Sequence, residues 1–191
     1  MKRIEGIRLV EVVCCLLLSC TNSFTQGLLV DQASGTSTEI VSQANQIPNT
    51  QIVQSFTPSL SAVGYVQFQT FIPAASSGET VIINLRQNAY NGPIVSSTTP
   101  VLVLNKITQI STFYFSGTVP VTPNQVYYFE PELLSSGSLF IGYKPSSTYT
   151  GGIIFINGVP SGPGDLWFQE GTVVPEPGGV WLLSFGGSVL F

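Results

Sequence analysis

Residues 26–173 predict an all-β fold, a single antiparallel β-sandwich or jelly roll, and three observations carry that prediction. Short runs rich in Val, Ile, Phe and Tyr alternate with clusters of Gly, Pro, Asn and Ser at the spacing of sandwich strands. No window here has the apolar period of an amphipathic helix. Hydrophobic residues make up 43% of the chain and charged ones only 8%, enough to build a core and too few charges for a disordered polyelectrolyte. A length of 191 residues suits one such domain.

The elements follow in order. The polar stretch 27–48 reads as mostly loop, with 28–30 as a first strand, and 51–56 is the next. Val66 and Phe68 alternate with Gln67 and Gln69, the mark of a strand with one face in the core. Val81, Ile83 and Leu85 alternate in the same way with Ile82, Asn84 and Arg86. Asn91-Gly92-Pro93 is a turn after Tyr90, and strands are expected at 101–104 and 109–116. Thr122-Pro123-Asn124-Gln125 is a turn before a strand at 126–130. Further strands are expected at 138–143, 153–157 and 166–170, the last after the flexible Ser161-Gly162-Pro163-Gly164-Asp165 loop. No repeat of fixed period is present.

Residues 1–25 read as an export signal with a signal helix. Lys2, Arg3 and Arg8 are its positive start, residues 9–18 are apolar apart from Glu11, and Thr21, Asn22 and Ser23 end the run. All three cysteines, Cys14, Cys15 and Cys20, fall here, so the mature domain is expected to hold no disulfide. Leu17-Leu18-Ser19-Cys20 resembles a bacterial lipobox, which makes Cys20 a candidate for lipidation. Ordinary signal-peptidase cleavage between Cys20 and Gln26 is the preferred alternative.

Residues 174–191 form a separate segment. Val174, Pro175, Glu176 and Pro177 precede a short apolar tail containing Leu182, Leu183, Gly186 and Gly187. This resembles the PEP-CTERM sorting signal of bacterial exosortase substrates, which runs from V-P-E-P through a brief membrane stretch to a cluster of Arg. The Arg cluster has no counterpart before Phe191. The 12 residues from Val180 to Phe191 make about 18 Å of helix, where roughly 20 residues are needed to cross a bilayer. A truncated signal is therefore expected. The two prolines suit an extended, protease-accessible linker.

The resemblance reaches into the domain. Asp31-Gln32-Ala33-Ser34, Gln54-Ser55-Phe56-Thr57-Pro58, the segment from Asn84-Leu85-Arg86 to Asn91-Gly92-Pro93-Ile94, and Asp165-Leu166-Trp167-Phe168 are similar to segments of domains carrying such tails. It covers most of 28–171 and implies a jelly-roll-like sandwich similar to carbohydrate-binding modules, for which the family has no agreed activity. It also implies export to the cell envelope or extracellular matrix of a Gram-negative-type bacterium. The implied partners are the secretion machinery and an exosortase-type membrane protease, with transient membrane association through the tail.

Chemistry is sparse. With no His, the Ser-His-Asp and Cys-His arrangements cannot be built, and no G-x-S-x-G elbow is present. The carboxylates within residues 26–173 are Asp31, Glu39, Glu79, Glu130, Glu132, Asp165 and Glu170, of which Glu130 and Glu132 beside Pro131 form the closest pair. A solvated strand end explains that pair as well, and no enzymatic activity is expected. A calcium ion would draw on Asp31, Asp165 and Glu170, but no Asp-rich loop accompanies them, so no metal or cofactor is expected. A net charge of −4 without a basic stripe excludes nucleic acid as a partner.

Sugar binding is the functional alternative, with exopolysaccharide or plant and algal glycans as partner. Aromatic faces stack on pyranose rings while amides and carboxylates bond the hydroxyls. Tyr90, Asn91, Tyr149, Asp165 and Trp167 are the candidate contacts, Tyr90 and Tyr149 standing beside turn residues. A sandwich also needs aromatic side chains inside, so core packing competes with ligand contact for each ring.

Overall fold

The structure is a computed structural model that describes residues 26–36, 43–47, 50–73, 77–104, 107–146 and 149–175. The export segment with Cys20, and Glu176 and Pro177 of the sorting motif, lie outside the described residues. The unit Leu28–Val173 is compact and holds the core and the candidate site described below; of the second unit, made of the two chain ends, Gln26, Gly27, Val174 and Pro175 are described.

The described residues form strands and no helix, as the sequence predicts, in two antiparallel sheets packed as a sandwich. The strands are β1 (Gln26–Ala33), β2 (Gln43–Ile47), β3 (Ile52–Phe56), β4 (Ala62–Phe71), β5 (Glu79–Gln87), β6 (Ile94–Ser97) and β7 (Val101–Val103). They continue with β8 (Gln109–Pro120), β9 (Tyr127–Leu133), β10 (Leu139–Lys144), β11 (Ile154–Ile156), β12 (Val159–Pro160), β13 (Asp165–Leu166) and β14 (Phe168–Pro175). The first sheet runs β1-β14-β4-β10-β13, with β8 also on β4 and β2 on β10. The second runs β12-β11-β3-β9-β5-β6, with β7 on β5. Among the described residues no helix is long and apolar enough to cross a membrane.

Period-two alternation builds the core. On β5, Val81, Ile83 and Leu85 are fully buried, which turns Ile82 and Arg86 to the other face. Phe129 of β9 stacks on Phe56 of β3 at 4.1 Å and meets Phe68 and Phe168 of the first sheet at 6.3 and 6.4 Å. Those ring contacts join the two sheets. On β4 the alternation breaks at a bulge between Val63 and Tyr65, so both Val63 and Val66 point inward. Gly64 sits in that bulge, where a Cβ would come within 3.0 Å of the Val173 amide nitrogen.

Three expectations are corrected. The stretch 27–48, read as mostly loop, contains β2, which pairs with β10 from Gln43–Tyr143 to Ile47–Leu139. Residues 94–97, assigned to no strand, form β6, whose side chains are largely exposed and give no alternation to read. β14 continues to Pro175, so Val174 and Pro175 end a strand instead of opening a linker.

Candidate functional site

The outward face of the second sheet carries the densest polar chemistry. On β9, Tyr128, Glu130 and Glu132 share that face, with successive side chains about 7 Å apart. The register sets Arg86, Asn84 and Ile82 of β5 opposite them. Pairing of β3 with β9 stops at Gln54–Phe129, two residues before Pro131, which has no N–H to donate. There a cleft of about 340 Å³ opens, lined by Thr50, Gln51, Arg86, Glu130, Pro131, Glu132 and Leu133.

Two hydrogen-bonded strings cross this face. In one, Arg86 donates through Nε to Glu130 Oε2 at 2.7 Å, pairs through its second terminal nitrogen at 2.6 Å, and donates to the Gly92 carbonyl at 2.6 Å. Gln51 Nε2 donates to the other Glu130 oxygen at 2.7 Å. In the second, Ser97 Oγ donates to Asn84 Oδ1 at 2.6 Å and Asn84 Nδ2 donates to Glu132 Oε2 at 2.7 Å. Asn84 is 2% exposed, so Glu132 is aimed by a buried amide with a single geometry. Beside these strings, Tyr90 stacks on Phe155 at 5.4 Å and Tyr128 meets Phe155 edge-on at 5.9 Å. All three rings are half-buried.

The sequence-predicted contacts divide. Tyr90 and exposed Asn91 lie at this face. Tyr149 lies apart from it: its hydroxyl accepts the Thr57 N–H at 3.1 Å and its ring stands edge-on to Phe168 at 5.3 Å. Asp165 and Trp167, offered as ligand contacts, are 2% and 0% exposed, and this corrects their assignment. Asp165 accepts from Gln54 Nε2 at 2.7 Å, and the indole lies under Gly35, where a Cβ would come within 2.2 Å of Trp167 Nε1. Phe155, Tyr128, Gln51 and Arg86 were not singled out. Their signal was legible for Arg86, the one arginine after Arg8, placed by alternation opposite the core face. Glu130 and Glu132 stand on one face as expected of neighbours but serve different strings, one neutralised by Arg86 and the other held by an amide.

The carboxylates considered for calcium have other partners. Asp31 Oδ2 accepts the amides of Ser59 and Leu60 at 2.8 and 2.9 Å, and Oδ1 accepts the Ser59 hydroxyl. Burial works to raise its pKa, but the bonds from Leu60, Ser59 and Gln32 outweigh it and hold the carboxyl below its usual range. Glu170 of β14 is 0% exposed, on the core-facing side of the register opposite Val66. Burial first, then the charge of Asp31, push its carboxyl up to about 9. Neither oxygen has a hydrogen-bond partner among the described residues, so ionising Glu170 there would leave a bare buried charge. Among the described residues no three His, Cys, Asp or Glu converge as a metal site. No protein-family model matches the chain, and no curated protein matches it either.

Proposed function

We propose that the chain is an exported protein of the bacterial envelope or extracellular matrix. Its body is non-enzymatic, and Val174, Pro175, Glu176 and Pro177 form a sorting signal cut by an exosortase-type membrane protease. The observation that carries this reading is the V-P-E-P run followed by a short apolar tail. The end of the sandwich is compatible with it. The last buried residue described is Gly171, Val174 is 38% exposed, and β14 runs to Pro175, so a cut beyond Pro177 removes none of the buried residues described. A proline on each side of a residue disfavours helix there and favours the extended form a protease grips, and the sequence places Pro175 and Pro177 around Glu176.

Intact mass and C-terminal peptide mapping of the protein from its host test this. The mature chain should lack everything beyond the Pro175–Pro177 region, and the triple Ala variant of Pro175, Glu176 and Pro177 should keep its tail while folding normally. A mature wild-type chain still ending at Phe191 overturns the reading.

A second reading gives the sandwich a task of its own, glycan binding. What favours it is the aromatic shelf of Tyr90, Phe155 and Tyr128 beside a cleft rimmed by planar polar groups, the pairing of stacking face and hydroxyl partner that sugars need.

A further inference from the structure

We infer that the cleft between Gln51 and Glu132 is a binding site for neutral, hydroxyl-rich glycans and selects against acidic ones; the inference rests on the glycan reading above. A sugar hydroxyl both donates and accepts, so a site for it must offer both functions within a few ångströms. Three of the five N–H groups of Arg86 are committed, to Glu130 and the Gly92 carbonyl, which leaves two to donate. Gln51 donates one amide hydrogen to Glu130 and retains the second. On the accepting side, Glu132 Oε1 and Gln51 Oε1 take no hydrogen bond among the described residues, and Glu132 is exposed. These groups are held in place before any ligand arrives, because Arg86 is tied at both ends and Glu132 is aimed by buried Asn84. Ordering them on binding therefore costs little.

The charge balance sets the class of glycan. Arg86 is neutralised at 2.6 Å by Glu130, so among the described residues lining the cleft Glu132 is left as the uncompensated charge. A uronate or sulfate ester placed there would meet a like charge, whereas neutral hydroxyls would donate to it. The apolar face of a ring has its complement close by. Tyr128 is the next outward side chain from Glu130 along β9, and Phe155 and Tyr90 extend that surface. The volume, about 340 Å³, lies at the lower end of the roughly 300–1,000 Å³ of small-molecule sites. That suits a short stretch of a longer chain lying across an open cleft.

Affinity electrophoresis of the full chain tests this, in native gels cast with hydroxyethylcellulose, with galactomannan or with alginate. The two neutral polymers should retard the protein and alginate should not. Phe155→Ala and Glu132→Lys should each weaken retardation about tenfold or more. Glu132→Gln, which keeps an acceptor and removes the charge, should let alginate bind and so narrow the difference between alginate and the neutral polymers. Glu132 is exposed, so its variants read the site without threatening the fold. Retardation by alginate of the unaltered protein overturns the selectivity. Retardation by neutral polymers that neither Phe155→Ala nor Glu132→Lys changes overturns this site while leaving the glycan reading standing. Absence of retardation in all three gels overturns both.

Discussion

Glu170 places a carboxyl group inside the sandwich next to the Asp31 carboxylate, and that pair makes stability depend on pH in a definite sense. In the unfolded chain Glu170 ionises near 4.5, whereas burial and the Asp31 charge raise it to about 9 in the folded state. Its contribution to stability is fully present below 4.5 and is lost as pH rises toward 9, at about 1.4 kcal/mol per pH unit. Asp31 works in the opposite direction. Its folded pKa lies below 3.8, so its contribution is present above that value and is lost as pH falls. The urea midpoint should therefore peak near pH 4–5 and decline toward pH 8 (about 4–5 from the two ordinary values). Glu170→Gln, a neutral isostere that cannot ionise, should flatten that decline and raise the midpoint at pH 8. A wild-type profile that is level from pH 5 to pH 8 would show that Glu170 does not keep its proton.

At the scale of elements, β1 is held by polar bonds more than by burial. Leu28, Leu29 and Val30 are 37%, 48% and 46% exposed, so this edge strand places little apolar surface in the core. Its anchors are Asp31 on the turn amides of Ser59 and Leu60, and Ser34, whose N–H donates to the Phe168 carbonyl while its Oγ accepts the Phe168 N–H, both at 3.0 Å. Asp31→Ala removes the acceptor for both turn amides, at a cost of about 2 kcal/mol. Hydrogen exchange should show the amides of β1 and of residues 59–60 opening faster in this variant, with β5 and β9 still protected. Uniform loss of protection across both sheets would mean that β1 does not open as a separate unit.

At the scale of the whole molecule, the first sheet is assembled from distant parts of the chain. β14, the last strand of the described residues, lies between β1 and β4, and no two neighbours along β1-β14-β4-β10-β13 are consecutive in sequence. Long-range pairing of this kind delays folding until most of the chain is present. A chain ending at Gly164 would lack Leu166, Trp167 and Phe168, each 0% exposed, and would leave β4 without its β14 partner. It should show neither near-UV circular dichroism nor a cooperative urea transition. A transition at the wild-type midpoint would mean that β13 and β14 dock on an already complete fold.

The strands that alternate were legible, because a period of two is a local property of the chain. Val81, Ile83 and Leu85 could be assigned to one face, and Asn84 and Arg86 to the other, before any partner strand was known. Strands that lie at edges and bury little, such as β6, left no such pattern. The site was legible only in fragments. Alternation could put Arg86 on an outward face, but register brought it to Glu130, 44 residues away, and the end of β3 brought Gln51 to the same carboxylate from 79 residues away. Burial misled for the same reason. Trp167 beside a Gly-rich loop looks available to a ligand until Gly35, from the opposite end of the domain, is seen to lie against its indole. Which face a residue takes follows from its neighbours in the chain; what it meets there depends on contacts between distant segments, and only the packed sandwich decides those.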